Sequence, residues 1–109
     1  MDVDRSKILD QLFTNAEKFM AELVEKQGIF TNLLILRKVA QDQQQAYIDL
    51  LQSYRDTKNR SPFNAAHQDI GGRIFTLAEA NDYVRETSLD RMGSDIFGNP
   101  TKEKFYRPR

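Results

Sequence analysis

The sequence predicts an all-α fold: an antiparallel hairpin of two long helices, then a third short helix and an extended C-terminal tail. Three observations carry that expectation. Residues 4–27 and 31–57 each bear an apolar stripe at helical period. Gly28 and Thr31 supply a stop and a start between them. Beyond Thr57 the period fades until a single capping box at Thr76.

In the first helix Ile8, Leu9, Leu12, Phe13, Ala16, Phe19, Met20, Leu23 and Val24 recur at steps of one and three. At about 100° per residue they span an arc of about 160°, with Lys7, Asp10, Thr14, Lys18, Glu22 and Glu25 opposite. One neighbouring helix does not cover so wide an arc. A bundle completed by oligomerisation does, with a homodimer the favoured form. Gly28 then suits a left-handed helix ending, with Ile29 folding back on Val24. Thr31 is a suitable N-cap, and Phe30 with Ile35 fits a hydrophobic staple. The rival arrangement, one continuous helix through Gly28, costs about 1 kcal/mol at the glycine and rotates the apolar seam.

The second helix places Leu33, Leu36, Ala40, Gln43, Tyr47, Leu50 and Tyr54 on a heptad seam of coiled-coil type. Gln43 is its one polar member, a register device or a residue facing water at the bundle edge. Lys58 to Pro62 is a polar stop, and residues 58–75 read as an irregular connection in which Gly71-Gly72 makes a turn. Thr76 and Glu79 form the capping box of a third helix over 76–92, ended by Gly93. Residues 93–109 read as an extended tail. With 109 residues the chain is expected to form one domain.

Composition excludes several classes of function. Lys plus Arg equals Asp plus Glu at 16 each, so no global field points to nucleic acid or an anionic membrane. Without cysteine there is no disulfide, thiolate catalysis or cysteine-ligated metal. The acidic, polar start is unlike a signal peptide, and the longest apolar run, at residues 33–36, is far below the roughly 20 residues that span a bilayer. A cytoplasmic, soluble protein with no membrane role is expected.

No catalytic, cofactor or metal residues are assigned. His67 is the single histidine, and pairing it with Ser53, Ser61 or Ser88 finds no nucleophile motif in support. The acidic pairs Asp2 and Asp4, Glu79 and Asp82, and Asp90 and Asp95 lack calcium-loop order. Gly71-Gly72-Arg73 has no phosphate-loop context.

Contact is therefore the expected mode of action. The stripe of Leu9, Leu12, Phe13, Phe19, Leu23, Leu36, Gln43, Tyr47, Leu50 and Tyr54 is assigned to self-association or a partner. The tail residues Lys102, Lys104, Phe105, Tyr106, Arg107 and Arg109 interleave charge with aromatic anchors. The reading is a non-enzymatic protein–protein interaction module, an adaptor, assembly factor or chaperone-like binder with a mobile C-terminal half. The alternative is a nucleic-acid-associated regulator using the tail together with Arg55, Lys58 and Arg60.

Overall fold

Neither apolar stripe folds as one long helix. In the computed structural model, which describes residues 4–55, 61–95 and 98–109, the first stripe forms α1 (Arg5–Leu12) and α2 (Ala16–Gln27). The second forms α3 (Asn32–Asp42) and α4 (Gln44–Gln52). Side chains stabilise both breaks. Thr14 Oγ1 donates to the Gln11 carbonyl at 2.6 Å, closing the first turn. Gln43, with φ −125° and ψ 63°, is the hinge of the second. The two breaks face each other: Gln11 Nε2 donates to Gln43 Oε1 at 2.9 Å, and Asn15 Nδ2 to Asp42 Oδ2 at 2.9 Å. Gln43 thus stands at a bend between helices rather than inside a heptad seam, and no coiled coil forms.

The signals around the α2–α3 junction act as their chemistry requires. Gly28 adopts φ 80°, and its amide closes on the Val24 carbonyl at 2.7 Å. Thr31 Oγ1 accepts from the Leu34 amide at 3.1 Å, capping α3.

The stretch expected to be irregular contains the longest helix, α5 (Pro62–Ala80). Ser61 caps it, accepting from the Asn64 amide at 3.1 Å, and Pro62 occupies the first turn, where no amide donor is needed. The Ser-Pro pair read as a stop is therefore a start. Ala65, Ala66, Ile70, Ile74 and Ala78 form a fully buried face against α3 and α4. This face packs on the second stripe from within the same chain.

Gly71 and Gly72 are helical, so they make no turn, and the Thr76 hydroxyl bonds back to the Gly72 carbonyl at 3.1 Å. The expected helix over 76–92 is thus only the end of α5. Asn81 closes it, and Asp82 turns the chain at φ 61°. Beyond this turn the chain runs in short strands, several of them paired with residues far away in sequence.

Among the described residues there are five short strands: β1 (Phe30–Thr31), β2 (Tyr83–Arg85), β3 (Arg91–Ser94), β4 (Pro100–Glu103) and β5 (Phe105–Pro108). A 3-10 turn at Thr87–Leu89 links β2 to β3. The strands form two antiparallel sheets, one of order β1-β5-β2 and the other the β3–β4 hairpin. The protein is accordingly mixed α and β, neither all-α nor a two-helix hairpin with a free tail. The tail supplies the central strand. Tyr106 pairs across to Phe30, and their rings stack at 5.2 Å while Tyr83 meets Phe30 edge-on at 5.0 Å. No helix among the described residues is long and apolar enough to cross a membrane.

Candidate binding cleft

Helix α5 has two faces, and the second lines a cleft. Asn64, His67, Gln68, Gly71, Gly72 and Phe75 recur at steps of one and three on the side away from the core. Opposite stand Asp95, Asn99, Pro100, Thr101 and Lys102 of the β3–β4 hairpin and its turn. Asn32, Leu33 and Leu36 of α3 form one end, while Arg85, Lys104 and Tyr106 complete the wall. The cavity measures about 900 Å³.

Polar contacts hold the hairpin wall in place. Glu103, only 8% exposed, accepts from Thr31 Oγ1 at 2.8 Å and from Arg91 Nε at 2.9 Å. Asn32 joins the β4–β5 junction to the start of α3 through three bonds. Its amide donates to the Lys104 carbonyl at 3.1 Å, its Oδ1 accepts from the Lys104 amide at 2.8 Å, and its Nδ2 donates to the Lys102 carbonyl at 3.2 Å. Gly93 permits the close approach, since a Cβ there would lie 2.9 Å from Leu33 Cδ1. Asp90 lies behind the wall, pairing with Arg85 and, at 3.6 Å, with Lys102. Arg85 Nε is buried without a hydrogen-bond partner among the described residues.

His67 lies in the cleft wall, 2.6 Å from Tyr47 Oη through Nε2 and with its ring centroid 3.9 Å from that of Phe63. Burial holds its pKa below the usual histidine value, and the Asp95 carboxylate pulls in the opposite direction. Burial, with a smaller push from Asp95, raises the Tyr47 hydroxyl to about 12. Both groups are therefore uncharged near neutral pH. Whichever tautomer His67 adopts, Nε2 is committed to Tyr47. The serines considered as nucleophiles are engaged elsewhere: Ser53 with Leu50 and Arg5, Ser61 as a cap, and Ser88 with Glu86. Asp69, next but one to His67, bonds Tyr54 Oη. Among the described residues no cluster of three or more His, Asp or Glu side chains is placed to hold a metal.

The stripe and tail residues separate by location. Leu9, Leu12, Phe13, Leu36, Tyr47, Leu50 and Tyr54 are buried in the core, Phe19 and Leu23 pack at its edge, and Gln43 is at the bend. Of the tail, Lys102, Lys104 and Tyr106 reach the cleft together with Leu36. Tyr106 does so from within the core, at 2% exposure. Phe105 is half-buried with the Arg91 guanidinium 5.4 Å above its ring. Arg107 pairs with Glu86 at 3.1 Å, and Arg109 is exposed, its amide bonded to the Asp82 carbonyl. Arg55 is exposed outside the cleft. Asp2, Asp56, Thr57, Lys58 and Arg60 lie outside the described residues.

Asn32, Phe63, Asn64, Gln68, Phe75 and Arg85 line the cleft without having been singled out in the sequence. Their available signal was the α5 spacing, visible only if Gly71-Gly72 is allowed inside a helix. Comparison of the chain with protein-family models, curated proteins and solved structures finds no match.

Proposed function

We propose that the protein is a non-enzymatic protein–protein interaction module whose cleft between α5 and the β3–β4 hairpin receives a segment of a partner chain. The observation that carries this reading is the aromatic side of a large cleft with pinned walls. Phe75 remains 43% exposed on α5 and lines the cleft one helical face along from Phe63. Aromatic anchors in pre-formed grooves dominate binding energy at protein interfaces.

The chemistry of the site favours binding over turnover. His67 is tied to Tyr47, and the nearby amides of Asn32, Asn64, Gln68 and Asn99 are hydrogen-bonding groups without acid–base capacity. A protein partner is favoured over nucleic acid because Tyr106 is packed in the core and Arg107 is paired, leaving the tail no free stacking platform of that pair. Most stripe residues belong to one intrachain core, with α5 packed on α3 and α4, so the reading needs no second copy. A reducing, cytoplasmic setting suits a chain without cysteine.

The test is position-specific cross-linking. A benzophenone side chain replaces Phe75 or, as a control of similar exposure outside the cleft, Ile48. Illumination in extract of the source cell is expected to give a discrete protein adduct from position 75 and none from 48. Equal adducts from both positions, or none from 75, would count against the cleft.

A further inference from the structure

Resting on that reading, we infer that the cleft takes an extended acidic peptide segment, its main chain laid along Gly71-Gly72 and its carboxylates facing Lys104 and Lys102. Glycine is the poorest helix former after proline, yet α5 carries two in succession in its interior. Neither has the positive φ that would require glycine. A Cβ built on either meets nothing within 4 Å, so no neighbour among the described residues uses the vacated space. Both residues line the cleft. What the missing side chains provide is bare helix backbone that another main chain can approach closely.

Charge identifies the occupant. Among the described residues the cations lining the cleft are Arg85, Lys102 and Lys104, against the one lining carboxylate of Asp95. Asp90, behind the wall, is shared by Arg85 and Lys102. Lys104 has no ion pair among the described residues, and its backbone is fixed to Asn32 on both sides. The whole chain has no net charge, so this cationic excess is local to the cleft. Phe75 gives an apolar contact beside it. The volume is at the upper end of the roughly 300–1,000 Å³ that one small ligand fills, room for several extended residues.

The experiment pans the intact chain against a displayed library of short random peptides and measures the enriched peptides by fluorescence polarisation. Enrichment of Asp and Glu beside an apolar residue is expected, with salt-sensitive binding. Lys104→Glu should weaken it about tenfold and Lys104→Arg should retain it. Gly72→Ala should weaken binding several-fold while raising Tm by about 4 °C, a combination that damage to the fold cannot produce. A neutral or basic pool that still depends on Phe75 and Gly72 would overturn the acidic occupant and leave the cleft reading standing. Acidic peptides indifferent to Gly72→Ala would overturn the backbone approach. No enrichment, or binding insensitive to every cleft substitution, would overturn the inference and the cleft together.

Discussion

Residues 4–55 and 61–109 are built on different kinds of information. In the first region the signals at the α2–α3 junction are local: a left-handed glycine at 28 and a threonine cap at 31. In the second, the strands at its end are fixed to partners distant in the chain. Tyr106 pairs with Phe30, Glu103 with Thr31, and Lys104 with Asn32. Local signals make elements that can be read in isolation. Distant pairing makes a cleft, because it brings surfaces together that no short segment contains.

Four measurements would break or sharpen this contrast. The largest effect is expected from Ile70→Asp, which buries an unpaired charge where α5 covers the first region. It should cost more than about 4 kcal/mol and abolish cooperative unfolding by circular dichroism. A folded, cooperative variant would mean that the two regions do not share a core. Next, Tyr106→Ala should cost about 3 kcal/mol by removing the ring stacked on Phe30 in the Phe30–Tyr83–Tyr106 cluster. Hydrogen exchange should then show β5 amides losing more protection than those of α3 and α4. Uniform loss across the molecule would make the regions a single folding unit.

Gly28→Ala probes a purely local signal. With φ at 80° and no neighbour within 4 Å, the added methyl is strained by the backbone alone. A loss of about 1 kcal/mol in urea titration is expected, and a neutral result would discount the αL ending as a stabilising device.

The smallest effect is pH-dependent and belongs to the cleft. His67 has a folded pKa below its ordinary 6.5, chiefly through burial. As pH falls through 6.5 the unfolded chain therefore takes up a proton before the folded one does. Stability from this group is complete above that value and declines below it, levelling once the folded His67 also titrates. Thermal melts of the wild type and His67→Gln should converge in pH response above neutrality and diverge in the acid range. Parallel curves throughout would show that His67 is not held neutral by its surroundings.

The same contrast explains how much of the molecule was legible in sequence. Gly28 and Thr31 were readable because the bonds they make lie within four residues. The helix breaks at 13–15 and 43 were not, because apolar periodicity continues through them while the stabilising bonds cross between helices. Ser61-Pro62 marks a boundary without saying on which side the helix lies. Gly71-Gly72 resembled a turn because glycine is punctuation in most chains, and Thr76-x-x-Glu79 resembled a cap although it lies within α5. Tyr106 looked like a free anchor since its partners, Phe30 and Arg85, are remote in sequence. The cleft could be only half read: Lys102 and Lys104 were assigned to contact, whereas Phe75 and Asn32 needed the fold to bring them beside those lysines.

The position of β5 also bears on the order in which the molecule can be assembled during synthesis. Both of its neighbours, β1 and β2, precede it in the chain. They emerge without their shared pairing strand, so the three-stranded sheet is a late product of vectorial folding. Helices α1 to α4 have no such wait. Because Lys104 and Tyr106 line the cleft from β5 and its approach, a nascent chain has its first helices before the cleft wall is complete. On the proposed reading, capture of a partner therefore waits until β5 has paired with β1 and β2.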